Sequence, residues 1–82
     1  MTTIILRLPS VLHRKGTGRS TTYNEIDNGL FPKPIQLGAR AVGWPESEVD
    51  AIIAARIAGK NDDEIRALVC DLEAARSHFG AG

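Results

Sequence analysis

The chain has 82 residues, of which 43% are hydrophobic and 24% charged, and it carries one cysteine and no net charge. This composition is typical of a small folded domain, and a lone cysteine excludes an internal disulfide and a multi-thiol zinc site. No apolar stretch is long enough to cross a membrane, and basic residues interrupt any secretory signal after Met1. We therefore expect a cytoplasmic protein without cofactor or metal.

The zero net charge conceals an uneven distribution of charge along the chain. Residues 1–44 carry six Lys and Arg against two acidic residues, giving +4, whereas residues 45–82 carry four against eight, giving −4. A protein with separated charges approaches a polyanion in a preferred orientation. Charge alone does not decide between this and two ordinary solvated surfaces.

Two short helices are predicted near the N-terminus. Residues 2–6 suit a strand or an extended lead-in, and the apolar spacing at Leu8 and Val11 then predicts a first helix that Gly16 can end. A second helix is predicted over about 19–28. The short turn between them is typical of a helix-turn-helix, whose second helix presents its N-terminal residues outward.

A β-hairpin is predicted next. Residues 31–34 read Phe-Pro-Lys-Pro, which cannot continue a helix. Before a glycine-containing turn, Ile35 and Leu37 alternate with Gln36. After it, Val42 and Trp44 alternate with Gly43, and this pattern is typical of two paired strands. An isolated hairpin is marginal in water, so we expect it to pack on the helices as a wing.

A third helix is predicted after Pro45. Its apolar face should carry Val49, Ile52, Ile53 and Ile57, because these residues recur at helical spacing.

The fourth predicted helix has the clearest amphipathic pattern. Asn61 suits its N-cap, and Glu64 completes a capping box. Its apolar stripe consists of Ile65, Leu68, Val69, Leu72 and Phe79. We therefore predict a mainly α fold with a small β-hairpin: a winged helix-turn-helix over residues 1–60, a C-terminal helix over 61–79 for packing or oligomerisation, and a frayed tail over 80–82.

Polar side chains cluster at the start of the second helix. The candidate base contacts are Arg19, Ser20, Thr21, Tyr23 and Asn24. Arginine can pair with guanine, asparagine with adenine, and hydroxyls with bases or phosphates. A polar helix start is also common in proteins that bind no DNA, and the spacing of Tyr23 from Ile26 suits a core position as well.

Further residues would position the protein on the DNA backbone. These candidates are Arg14, Lys15, Thr22, Lys33 and Arg40. They flank the second helix or lie at the wing tip, where phosphates pass in a winged arrangement.

Catalysis and metal binding find no support in the sequence. His13, His78 and Cys70 are isolated from one another and from any nucleophile motif. The acidic run 62–64 is explained by the positive end of the fourth helix dipole. We expect no enzyme.

Several motifs together resemble the AlpA-like phage transcriptional regulators, relatives of excisionases and of MerR-type winged helix-turn-helix proteins. The resemblance covers about residues 6–56. Its motifs are Arg7-Leu8-Pro9, Arg19-Ser20-Thr21-Thr22-Tyr23, Gly29-Leu30-Phe31-Pro32-Lys33-Pro34 and Ala41-Val42-Gly43-Trp44, which leads to Glu46-Ser47-Glu48-Val49. The fourth predicted helix lies outside it.

The resemblance implies a sequence-specific duplex-DNA regulator of a prophage or genomic island, acting in transcription control or as an excision factor. By this resemblance, the recognition arginine and hydroxyls of the family correspond to Arg19, Ser20 and Thr21, and the wing contact corresponds to Arg40. The chain departs from the family pattern at Thr17 and Thr22, where an apolar residue is usual, and at Asn24, Asp27 and Leu30, where basic residues are usual. These departures predict modest affinity per copy.

Three partners are therefore expected: double-stranded DNA, further copies of the chain on that DNA, and an integrase if the role is excision. The competing hypothesis is a protein-interaction adaptor or antirepressor. In that case the fourth helix would bind its partner through the oligomer or partner contacts Ile65, Leu68, Val69 and Leu72.

Overall fold

The computed structural model describes residues 4–76. Within this range the elements are β1 (Ile5–Leu6), α1 (Leu8–Lys15), α2 (Arg19–Asp27), β2 (Ile35–Gln36), β3 (Val42–Pro45), α3 (Glu46–Ile57) and α4 (Asp62–Ala75). The predicted fold class, mainly helical with a small winged sheet, is confirmed. The predicted stripe residue Phe79, the tail 80–82 and the first residues of the lead-in lie outside the described residues.

The helix-turn-helix is made by α1 and α2. Gly16 ends α1 in the left-handed conformation, with φ of 72°, and its N–H donates to the carbonyl of Leu12 at 2.9 Å. A left-handed φ favours glycine, because a side chain is strained there. Only two residues then separate this stop from Arg19, the first residue of α2.

The three strands form one antiparallel sheet in the order β1-β3-β2. Gly43 lies in the middle strand, where a Cβ atom would come within 2.6 Å of Ile5 Cγ2 and 2.9 Å of the carbonyl oxygen of Leu6. This close approach requires glycine. We call β2, β3 and the turn 37–41 between them the wing; the N–H of Leu37 closes its turn on the carbonyl of Ala41 at 2.7 Å.

The core lies between the sheet and the helices. Its buried apolar side chains are Leu6, Val11, Phe31, Trp44, Val49, Ile52, Ile65 and Val69. Trp44 and Phe31 lie with ring centroids 6.0 Å apart, and the indole N–H of Trp44 donates to the carbonyl of Pro32 at 2.8 Å. These contacts join the wing to the loop after α2, and β3 also packs against α1 and α3, as predicted.

The apolar face of α3 was predicted with one error. Val49 and Ile52 are buried and Ile53 is half-buried, but Ile57 is 82% exposed. Ile57 belongs to the last turn of α3, which extends past the core, so helical spacing does not bury it.

The start of α4 was predicted correctly. The side chain of Asn61 accepts from the N–H of Glu64 at 2.9 Å, and the Glu64 carboxylate accepts from the N–H of Asn61 at 3.2 Å.

The apolar stripe of α4 faces the core of the chain itself. Ile65 and Val69 are buried, and Leu68 and Leu72 are partly buried against the same core. This corrects the prediction that Ile65 and Val69 contact a partner, because neither side chain reaches the surface.

Candidate nucleic-acid interface

The N-terminal part of α2 presents a polar surface to solvent. All five predicted base contacts are exposed: Arg19, Ser20, Thr21, Tyr23 and Asn24. Tyr23 is 39% exposed, so its ring does not lie in the core. We call these five side chains the reading face of α2.

The opposite side of α2 faces the protein. Thr22 is fully buried, and its hydroxyl donates to the carbonyl of Gly18 at 3.1 Å. This corrects the prediction that Thr22 contacts the DNA backbone, since a hydroxyl in this position does not reach a phosphate. Thr22 fixes the first turn of α2 instead.

Lys15 also lies inside the structure. Its ammonium forms an ion pair with Glu25, lies 3.3 Å from the hydroxyl of Thr22 and sits 4.3 Å from the centre of the Phe31 ring. Its side chain is only 7% exposed. The predicted phosphate contact of Lys15 is therefore corrected: this cation joins α1, α2 and the loop that carries Phe31.

Arg14 is exposed but already has carboxylate partners. Its guanidinium lies 2.7 Å from Glu46 and 3.0 Å from Asp50, both on α3. The hydrogen bond to Glu46 is the main reason that the pKa of Arg14 is raised above its ordinary value; burial opposes this, and the hydrogen bond to Asp50 and the charges of both carboxylates add to it. Because two carboxylates offset its charge, Arg14 is a weaker candidate for phosphate binding than an unpaired arginine.

Within residues 4–76, a minority of the Lys and Arg side chains lack a carboxylate within 4.0 Å. These unpaired cations are Arg7, Arg19, Lys33 and Arg40, and all four are exposed. The predicted asymmetry of charge thus takes a specific form. All four unpaired cations belong to the N-terminal half, where Arg14 and Lys15 are paired, whereas every described cation after the wing has a carboxylate partner.

Arg7 is the member of this set that the sequence did not single out. Its Nε donates to the carbonyl of Val42, the first residue of β3, at 3.0 Å. The motif Arg7-Leu8-Pro9 contains the residue, but its place beside the wing follows only from the pairing of β1 with β3.

The segment that joins α2 to the wing is held by α4 and by Arg76, the residue after it. Arg66 Nε donates to the carbonyl of Asn28 at 2.9 Å. The N–H of Lys33 donates to the carboxylate of Glu73 at 2.8 Å, and Arg76 Nη2 donates to the carbonyl of Lys33 at 2.7 Å. These bonds fix both ends of residues 28–33, and with them the backbone that carries the unpaired side chain of Lys33.

The part of the chain that the structure describes holds no group of three His, Cys, Asp or Glu side chains placed to bind a metal ion. None of its helices is long and apolar enough to cross a bilayer.

Comparison with known proteins points to one family. Residues 4–57 match the family described as Prophage CP4-57 regulatory protein (AlpA). The uncharacterized protein ORF88 of Enterobacteria phage P4 is 49% identical over 55 residues, which is 67% of this chain and 62% of the phage protein. The DNA-binding transcriptional activator AlpA of Escherichia coli is 38% identical over 58 residues, 63% of this chain and 83% of that protein. The match therefore spans less than two thirds of the phage relative.

Proposed function

Because the chain belongs to the AlpA family of prophage regulatory proteins, we propose that it regulates through sequence-specific binding of duplex DNA. The reading face of α2 enters the major groove, and the wing lies on the adjacent sugar-phosphate backbone. In this role the chain binds DNA and catalyses no reaction.

One observation carries this proposal: Arg19 lies at the exposed N-terminal end of α2, and no carboxylate of the described residues 4–76 pairs with it. An arginine already held by a carboxylate has to give up that bond before it can bind a guanine. Arg19 is free to make a two-point contact with guanine O6 and N7. Ser20, Thr21 and Asn24 supply further hydrogen-bond donors and acceptors on the same exposed side of the helix.

The unpaired cations set the electrostatic part of the interaction. If Arg7, Lys33 and Arg40 contact phosphates, the logarithm of the affinity falls against the logarithm of salt concentration with a slope of about −2.7, and a phosphate contact by Arg19 as well would make it about −3.6. So few contacts give modest affinity per copy. We therefore propose that copies bind side by side, as a pair on two half-sites or as a row.

The regulatory role is proposed to be transcription control. The Escherichia coli relative is named a transcriptional activator, which favours this role over assistance to an integrase during excision. A reporter fused to the neighbouring promoters distinguishes the two: transcription control changes reporter output without an integrase, whereas an excision factor changes recombination only when the integrase is present.

The alternative role, a protein-interaction adaptor or antirepressor, is less well supported, because the apolar stripe of α4 packs on the core of the chain itself. Only Leu68 and Leu72 of the four proposed partner contacts retain partial exposure.

The direct test is fluorescence anisotropy with labelled duplex DNA from upstream of the protein's own locus, compared with random duplex. We expect Arg19→Ala to lower affinity for the specific duplex by at least about tenfold. Lys60→Ala is the matched control, because Lys60 is exposed and its one ion pair among the described residues is with Glu64, four positions later. Equal affinities for wild type and Arg19→Ala would refute the proposed recognition helix.

A further inference from the structure

Arg7 occupies the junction between β1 and α1, beside the end of β3 that follows the wing turn. Leu6 pairs with Trp44 in the sheet, so the next residue runs alongside the start of β3. There Arg7 Nε donates to the carbonyl of Val42 at 3.0 Å. This bond holds the guanidinium against the strand that leads out of the wing turn.

Most of that guanidinium is still available for binding. An arginine side chain has five N–H donors, and the bond to Val42 uses the one on Nε. Residues 4–76 offer Arg7 no carboxylate, and the side chain is exposed. The remaining Nη1 and Nη2 groups form a planar fork, the arrangement that binds two oxygens of a phosphate.

A second unpaired arginine, Arg40, lies close in sequence to Val42, the bonding partner of Arg7. Arg40 precedes Val42 by two residues, a separation of no more than about 7 Å even in extended chain. Arg7 and Arg40 are far apart in sequence, but both attach to the chain near the start of β3, and both are exposed and unpaired among residues 4–76.

We propose that Arg7 binds a phosphate of the DNA backbone beside the one contacted by the wing. The inference rests on the proposed function and adds a contact residue to it. Because the same side chain is bonded to β3, the phosphate bound by Arg7 also fixes where the wing lies on the duplex. Arg7 is thus both a backbone contact and the link between α1 and the wing.

The test is the salt dependence of DNA affinity for wild type and Arg7→Gln. Glutamine keeps an N–H donor for the carbonyl of Val42 but removes the charge. We expect the salt slope to become shallower by about 0.9, and affinity at 0.1 M salt to fall about eightfold, the effect of one released counterion. Specific and random duplexes should lose affinity by the same factor, since a phosphate contact carries no base information.

Two further variants sharpen the result. Arg7→Lys restores the charge and should restore the slope, although an ammonium lacks the planar fork. Lys60→Gln removes a charge from an exposed cation that is paired with Glu64, and should leave the slope unchanged. Thermal unfolding of each variant separates a lost contact from a lost fold: the inference requires Arg7→Gln to melt within a few degrees of wild type.

The outcomes separate this inference from the proposed function. Absence of salt-dependent DNA binding by the wild-type protein overturns both. Salt-dependent binding with the same slope for wild type and Arg7→Gln overturns the inference alone. Lower affinity with an unchanged slope also overturns it, because Arg7 would then only support the wing.

Discussion

Glu48 on α3 and Arg76, the residue after α4, form a two-point ion pair. Arg76 Nε and Nη2 lie 2.9 and 2.6 Å from the two carboxylate oxygens, and Glu48 is only 3% exposed. The pair joins residues 28 positions apart. A buried carboxylate that loses its partner keeps the cost of desolvation without the compensating bond.

Removal of this partner should therefore destabilise the fold. We expect Arg76→Ala to lower the free energy of unfolding by about 2–3 kcal/mol, below the range for a fully buried pair because Arg76 is 21% exposed. For a chain of this size the melting temperature should fall by about 10 °C or more. Circular dichroism during thermal and urea unfolding measures both quantities.

Two controls define what the Arg76 result means. Lys60→Ala breaks an exposed pair and should change stability by less than about 0.5 kcal/mol. The double variant Glu48→Met with Arg76→Met replaces the pair by apolar volume and should recover part of the loss. Equal stability of Arg76→Ala and wild type would show that the pair contributes nothing.

Lys15 offers a test of a burial that the sequence did not indicate. Its ammonium is engaged with Glu25 and lies over the ring of Phe31. We expect Lys15→Met to lower the free energy of unfolding by about 1–2 kcal/mol, through loss of the ion pair and of the cation–π contact. The salt slope of DNA binding should not change. A shallower slope with unchanged stability would contradict this burial and support a contact of Lys15 with the DNA backbone.

The side chain of Trp44 should report directly on the core. It is the only tryptophan of the chain and is fully buried, with its indole N–H bonded to the carbonyl of Pro32. Trp44→Phe leaves that carbonyl without its donor and opens a small cavity, so we expect a loss of about 2 kcal/mol. In the wild-type protein, unfolding should shift tryptophan emission to longer wavelength; emission already typical of exposed indole in the native protein would contradict this burial.

Two isoleucines on α3 give a matched pair of substitutions. Ile52 is buried, whereas Ile57, five residues later, is 82% exposed. We expect Ile52→Ala to cost about 3 kcal/mol and Ile57→Ala less than about 0.5 kcal/mol. Urea unfolding curves measure the difference. Similar losses for the two variants would place Ile57 in the core, as its spacing alone suggests.

The sequence predicted the elements well because their boundaries are set locally. Gly16 ends α1 through a left-handed φ, and Asn61 begins α4 through a capping box with Glu64. Each signal depends on residues within one helical turn, so no knowledge of the tertiary structure is needed. The alternation around the wing turn likewise identified both strands of the hairpin.

The candidate site was harder to predict, because it depends on which cations are already paired. Arg14 bonds Glu46, which lies 32 residues away, and Lys15 bonds Glu25, which lies 10 residues away. No local pattern distinguishes these side chains from an exposed cation such as Arg40. Arg7 has no local signal of its role either, since only the β1–β3 pairing brings it to the wing.

The bonds from α4 and Arg76 to residues 28–33 show that the region shared with the family is smaller than the region that the fold needs. The family match ends at residue 57, yet Ile65 and Val69 complete the core, and Arg66, Glu73 and Arg76 hold the backbone between α2 and the wing. A shortened protein that stops at the edge of the shared region would lose these anchors. Production of a minimal binding fragment, or transplantation of α2 and the wing to another scaffold, therefore has to carry α4 along or rebuild its support.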